Sequence, residues 1–322
     1  MSLASFGHLP TGILGHPVPF TLHVPGSSIH TLNTLVQHAH IAAPSFYNTN
    51  ADPTNGTFGI SRDWLITAQE IWTDPKLFSW RAHEKHQNRF PQWKINITVP
   101  SDQEVFQLHF AAFFSKKKSA IPITLLHGWP GSWSEFAEVL ELLATKYTPE
   151  TLPYHVIVPS IPDYGLSTRP QEIMGAGEVT MERASEALNE LMKALGFKRY
   201  VAQGGDVGSF LAQTMCGLFD ECRAFHCGYL TSPSFFQTIP NLRMLAKRWK
   251  GGSDGETVNM LFLTANQSAE VANIPITPEE EKQQEFVNAW AQTGSAYAVE
   301  HGTRPSTISL VLNTNPLAML TW

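Results

Sequence analysis

Residues 204 to 208 read Gly204-Gly205-Asp206-Val207-Gly208, and they sit between an apolar run at 199–203 and a helix-forming stretch at 209–219. A strand that turns into a helix within five residues is strained at its tip. Small residues are then needed wherever the backbone passes close to itself. The tip residue is displayed at the end of the strand, in the place that serine holds in the G-x-S-x-G nucleophile elbow. Here that residue is Asp206, the candidate nucleophile. An ordinary Gly-rich connection would look the same locally, so the flanking chain has to decide.

Upstream of the elbow, short continuous apolar runs alternate with helical stretches. A strand at 121–126 precedes a helix at 134–144, and a strand at 154–159 precedes an amphipathic helix at 180–195 that stops at Gly196. Downstream, 222–230 reads as one more strand. Buried strands separated by helices imply a mostly parallel sheet covered by helices on both faces. Before this run, 93–99 and 105–113 alternate apolar and polar residues, as an antiparallel pair does.

Two loops fall on the same edge of that sheet as the elbow. His127-Gly128-Trp129-Pro130-Gly131-Ser132 follows the strand at 121–126, and Pro159-Ser160-Ile161-Pro162-Asp163-Tyr164-Gly165-Leu166-Ser167 follows the next strand. Ligands of open α/β sheets bind along this edge. A loop in the first position donates one amide to an oxyanion hole, and the residue after the nucleophile donates the other. Trp129 and Val207 are the candidates for those amides.

The chain divides into residues 1–92, helical and irregular, a core at 93–230, and a region at 231–322 without strand character. In the first, Ser61 caps a helix carrying Trp64, Leu65 and Ile71, and Asp74-Pro75 reads as the start of another through Phe78, Trp80 and Arg81. In the last, Thr277-Pro278-Glu279-Glu280-Glu281 starts a helix expected to run to about Tyr297. The stretch 306–322 is apolar and interrupted by Pro316.

Composition narrows the function classes. The 322 residues are 43% hydrophobic, and 22 Lys plus Arg against 28 Asp plus Glu give a formal charge of −6. That balance leaves no basic footprint for nucleic acid. No run reaches the roughly 18 apolar residues of a membrane helix, and the first twenty residues lack a signal-peptide pattern. A soluble, cytoplasmic protein is expected. Cys216, Cys222 and Cys227 show no C-x-x-C spacing and are expected to be reduced, mostly buried thiols. His83-Glu84-Lys85-His86 is one residue short of the zincin H-E-x-x-H spacing. Neither metal nor cofactor is expected.

Taken together, these motifs resemble the epoxide hydrolases of the α/β-hydrolase superfamily, in the microsomal-type and fungal branch, over nearly the whole chain. Trp80-Arg81-Ala82-His83-Glu84 and Asn88-Arg89-Phe90-Pro91-Gln92 are similar to that branch's N-terminal segment, and the HGWPGSW and GGDVGS stretches to its loop and elbow. The run from Tyr297 to Thr307 is similar to its cap motif. The resemblance implies an α/β-hydrolase fold with an N-terminal helical segment and a partial helical cap. It implies a small apolar epoxide as substrate, Asp206 as nucleophile, and Tyr297 as the acid that polarises the epoxide oxygen. It also implies that the family's second tyrosine, its general base and the acid that orients that base fall beyond Trp322. The chain is therefore expected to be truncated, with hydrolytic turnover impaired and self-association through uncovered apolar surface. His226 reads as a packed strand residue, and His301 shares a helix face with Tyr297. The competing functions are a non-catalytic binding or scaffold protein, and a dehalogenase, which Tyr297 disfavours.

Overall fold

The computed structural model describes residues 2–52, 54, 58–169, 177–228 and 294–322, with isolated positions between 278 and 292. In chain order its elements are β1 (Val18–Pro19), α1 (Gly26–Gln37), α2 (Phe46–Thr49), α3 (Arg62–Thr73) and α4 (Trp80–Gln87). There follow β2 (Gln92–Thr98), β3 (Val105–Phe113), β4 (Ile121–Leu126), α5 (Ala137–Lys146) and β5 (Tyr154–Pro159). Next come α6 (Met181–Ala194), β6 (Tyr200–Gly204), α7 (Asp206–Leu218) and β7 (Cys222–Cys227). The C-terminal helices are α8 (Ala296–Thr303), α9 (Pro305–Leu312) and α10 (Pro316–Thr321). By contacts the chain falls into two units, 1–22 with 85–273 and 23–84 with 274–322.

The first unit is built on one sheet of strand order β1-β2-β3-β5-β4-β6-β7. Strands β5, β4, β6 and β7 pair in parallel, and β1 to β3 form the antiparallel flank. It is the mostly parallel sheet with helices on both faces that the sequence implies. Alternation along the strands separates two cores. Phe110 and Ala112 of β3 join Ile157 of β5 and the apolar faces of α6 and α7, whereas Ala111 and Phe113 join Val156, Val158 and Leu140 of α5. Fully burying each of the larger of these side chains is worth about 1.5–3 kcal/mol, so the strand register is fixed on both faces. The C-terminal ends of β4, β5 and β6 thereby meet at one edge.

In the second unit α1 and α3 pack with α10, and Val36, Ile308, Leu312 and Leu317 are buried. Asn315 Nδ2 donates to the Leu35 carbonyl at 3.3 Å. The apolar stretch 306–322, expected to lie uncovered, is therefore half covered: Leu310, Val311, Met319 and Trp322 remain exposed. Three further expectations are corrected. The helix read from Asp74-Pro75 begins instead at Trp80, because the Asp74 carboxylate accepts the Lys76 N–H at 2.8 Å and closes a turn. Cys216 and Cys222 are joined as a disulfide, in which Cys227 takes no part. The short turn from α7 into β7 brings their Cα atoms to 4.7 Å, a proximity their spacing did not announce. His226 lies in β7 as expected but is exposed.

Candidate active site

The elbow is shaped by main-chain crowding. A Cβ on Gly204 would lie 2.0 Å from the Gly208 carbonyl oxygen, and one on Gly208 would lie 2.2 Å from that of Leu126. Only glycine fits at these two positions. Gly205 is different, for nothing lies within 4 Å of where its Cβ would be. Asp206 follows with φ +47°, in the left-handed region. Such a conformation costs of order 1–3 kcal/mol in a non-glycine residue, and strain of this kind gathers at functional sites. Asp206 is also the first residue of α7, where the helix dipole favours a negative charge. Its side chain is exposed.

The loop after β4 faces it closely. The Trp129 N–H donates to Asp206 Oδ1 at 2.9 Å. Gly128 lies so near that a Cβ there would come within 2.5 Å of Asp206 Cβ. The Trp129-Pro130 peptide is cis. Val207 is the second residue of α7 and packs, half-buried, against the sheet core.

Buried histidines lock these loops. Ile161 N–H donates to His127 Nε2 at 3.1 Å, so Nδ1 carries the proton and donates to the Gly128 carbonyl at 3.0 Å. Burial lowers the His127 pKa, with the bond to Gly128 opposing, so the ring is neutral. It ties the loop after β4 to the loop after β5. In the latter, Asp163 and Gly165 take φ of +63° and +54° on either side of Tyr164, whose ring stands edge-on to His127 at 5.6 Å. Burial raises the Tyr164 pKa, and the charge of Asp206 adds to the rise.

His109 of β3 anchors the same loop. Gln92 Nε2 donates to the Gln87 carbonyl, leaving Gln92 Oε1 to accept from His109 Nε2 at 3.0 Å. His109 Nδ1 then accepts from the Ser160 hydroxyl at 2.9 Å, and the His109 N–H donates to Ser167 Oγ at 2.9 Å. Burial, with the Lys94 charge, lowers the His109 pKa to about 3. Burial raises the pKa of Glu135, just beyond the loop after β4, and the Asp206 charge adds to the rise. Neither His109 nor Glu135 was singled out by the sequence.

Tyr297 belongs to the second unit. Gly294 and Ser295 precede α8, so Tyr297 sits in its first turn rather than at the end of a longer helix; the helix start at 277–281 lies almost wholly outside the described residues. Its ring is edge-on to His301 at 6.5 Å, and the Trp322 indole N–H donates to His301 Nε2 at 2.7 Å. Glu84, of the near-zincin motif, accepts the Val24 N–H at 2.7 Å and pairs with Arg81. Among the described residues no group of three His, Cys, Asp or Glu side chains could hold a metal, and no helix is long and apolar enough to cross a membrane. A groove of about 570 Å³ is lined by Phe20, Lys94, Ile95 and Gln107 among others, none of them from the elbow or its facing loops.

Comparison with known proteins points one way. The family profile "Epoxide hydrolase N terminus" matches residues 17–136, and "alpha/beta hydrolase fold" matches 121–296. A protein of Dothistroma septosporum assigned by name to the epoxide hydrolases is 36% identical over 98% of this chain and 65% of its own length. The chain thus spans about two thirds of that relative. Juvenile hormone epoxide hydrolase 1 of Ctenocephalides felis is 28% identical over 63% of this chain and 40% of its own. The structure of Aspergillus niger epoxide hydrolase aligns with a TM-score of 0.78 at 34% identity, over 98% of this chain and 71% of that one.

Proposed function

The chain belongs to the epoxide hydrolases of the α/β-hydrolase fold, and on that premise we propose that Asp206 opens an epoxide by forming an ester with it. One observation carries this: a carboxylate held at φ +47° on the first residue of α7, with one oxygen fixed by the Trp129 amide at 2.9 Å. With Oδ1 occupied, the other oxygen is left to attack. It bonds to an epoxide carbon as the ring C–O bond breaks, and the new alkoxide takes its proton from the Tyr297 hydroxyl. Attack of water on the ester carbonyl carbon would then put negative charge on the oxygen facing Trp129 and Val207, whose amides stabilise it. Collapse releases the vicinal diol and restores Asp206. The substrate class is a small apolar epoxide.

The second step needs a base to activate water. Among the histidines that follow Asp206, His226 is exposed on β7 and His301 Nε2 is engaged by Trp322. A polypeptide of these 322 residues is accordingly expected to hold the ester rather than turn over. Loss of a positioned base costs about a hundred- to ten-thousandfold. The test is diol formed per chain on incubation with an aryl epoxide. The account expects at most one equivalent of epoxide consumed; consumption of none would refute the nucleophile, and many turnovers would refute the stalled ester.

A further inference from the structure

We infer that His109 is a positioning residue for the Trp129 amide, acting through the Ser160-Ile161 peptide and the His127 ring. The use of that amide in the reaction rests on the function proposed above; the hydrogen-bonded path to it rests on geometry. A peptide unit is planar, with its C=O and N–H pointing opposite ways, so holding one end aims the other. Two such units matter here. In the Gly128-Trp129 unit the carbonyl accepts from His127 Nδ1 at 3.0 Å, and the N–H at the opposite end donates to Asp206 Oδ1 at 2.9 Å. In the Ser160-Ile161 unit the carbonyl accepts from the Ser167 hydroxyl at 2.7 Å, and the N–H donates to His127 Nε2 at 3.1 Å. One neutral imidazole, a donor at one nitrogen and an acceptor at the other, joins the two units.

His109 holds the second of these units in place. Its N–H donates to Ser167 Oγ at 2.9 Å, and its carbonyl accepts the Ser160 N–H at 2.9 Å. Its Nδ1 accepts the Ser160 hydroxyl at 2.9 Å, while Nε2 donates to Gln92 Oε1 at 3.0 Å and keeps the ring from turning. Both serines that fix the Ser160-Ile161 peptide are therefore tied to one residue of β3. His109, His127, Ser160 and Ser167 are all buried, so bulk water does not make good a lost bond. Close-packed interiors pass displacements on rather than absorbing them. A shift of Ser160 is accordingly handed to Ile161, to His127, and through the Gly128 carbonyl to the Trp129 N–H. His109 itself makes no hydrogen bond to Asp206; its influence on the carboxylate runs through this path.

The experiment compares the full chain with His109→Leu, His109→Asn and Ser167→Ala. It reads hydrogen exchange of the Ile161 amide, the ring ¹⁵N resonances of His127, and the single-turnover rate of Asp206 alkylation by an aryl epoxide. His155→Leu is the control, for His155 is also a buried histidine but lies near the start of β5, where its Nδ1 accepts the Ser115 N–H at 3.2 Å. In His109→Leu, Ile161 exchange should quicken about tenfold, and the His127 Nε2 resonance should move toward that of a ring nitrogen with no donor on it. Alkylation should slow about tenfold, as about 1 Å of misplacement costs up to a hundredfold, with the half-saturating epoxide concentration unchanged. His109→Asn keeps an acceptor in the place of Nδ1 and should recover most of the rate. Ser167→Ala deletes only the hydroxyl on the Ser160 carbonyl; it should act in the same direction, and it decides the matter if His109→Leu does not fold. Unaltered Ile161 exchange and His127 resonances in these variants would overturn the relay. So would an equal slowing of alkylation in His155→Leu, which would mark a general loss of stability. If the parent chain is not alkylated at all, the proposed function fails, and the exchange and ring resonances still decide the relay.

Discussion

The elbow around Asp206 and the helix around Tyr297 carry the two groups assigned to ring opening, and they are built differently. At the elbow the main chain does the placing: two glycines pressed against carbonyl oxygens, a left-handed aspartate, and an amide 2.9 Å from its carboxylate. Around Tyr297 the contacts are between side chains, ring against ring from Tyr297 to His301 to Trp322. Backbone placement tolerates almost no substitution where atoms touch. Side-chain placement can be changed one group at a time, with loss of chemistry but not of fold.

That contrast predicts a graded series. The largest effect should come from Gly208→Ala, whose Cβ would meet the Leu126 carbonyl at 2.2 Å. Leu126 cannot retreat without disturbing its pairing with Gly204, nor Gly208 without displacing the first turn of α7, so a loss of about 5 kcal/mol or more is expected, at the exceptional end for one substitution. Denaturant unfolding, or failure to obtain soluble chain, would record it.

Next in size is a pH effect at His109. Its folded pKa of about 3 lies below the ordinary 6.5, so between these values the unfolded chain binds a proton that the folded chain does not. Stability should therefore be level above about pH 6.5 and fall as the pH drops toward 3, by up to about 5 kcal/mol from this group. His155, lowered by burial to about 4, acts in the same sense. Unfolding free energies against pH for His109→Gln should show a shallower slope in that window.

Tyr297→Phe comes third. It keeps the ring and removes the proton donor, so single-turnover alkylation of Asp206 should slow by about ten- to a thousandfold with an unchanged melting temperature. An unchanged rate would make Tyr297 a packing residue. The smallest effect belongs to Gly205→Ser. Gly205 is the N-cap of α7, with extended backbone and free space around it. Serine caps helices well, and stability should change by less than about 0.5 kcal/mol. A large loss here would break the distinction between the crowded glycines and the free one.

The same contrast explains what could be read from the residues alone. The elbow and its facing loop were legible because steric demands on glycine are local, and strand-loop-helix order is a short-range pattern. Tyr297 was singled out only through resemblance, since a tyrosine in a short helix carries no signal of its own. His109 and Glu135 escaped for another reason. His109 acts on Ser160, 51 residues away, and on Gln92, 17 residues away, so its role exists only after the sheet has formed. Glu135 looks like any first-turn acid in the sequence, and its closeness to Gly131 exists only in the folded turn. At Asp74 a strong local signal misled: an Asp-Pro pair suits a helix start, but here the side chain closes a turn and α4 waits until Trp80.

The central claim, that Asp206 bonds covalently to an epoxide carbon, is most directly tested by peptide mass spectrometry after incubation with an aryl epoxide in ¹⁸O-enriched water. If the ester persists, the peptide containing Asp206 gains the mass of the epoxide. If the ester is hydrolysed at its carbonyl carbon, Asp206 gains ¹⁸O instead. The account predicts one of these marks on Asp206, chiefly the persistent ester, and neither on the corresponding peptide of Asp206→Asn. An Asp206 peptide of unaltered mass, with the epoxide found only on Cys227 or on histidines, would contradict it.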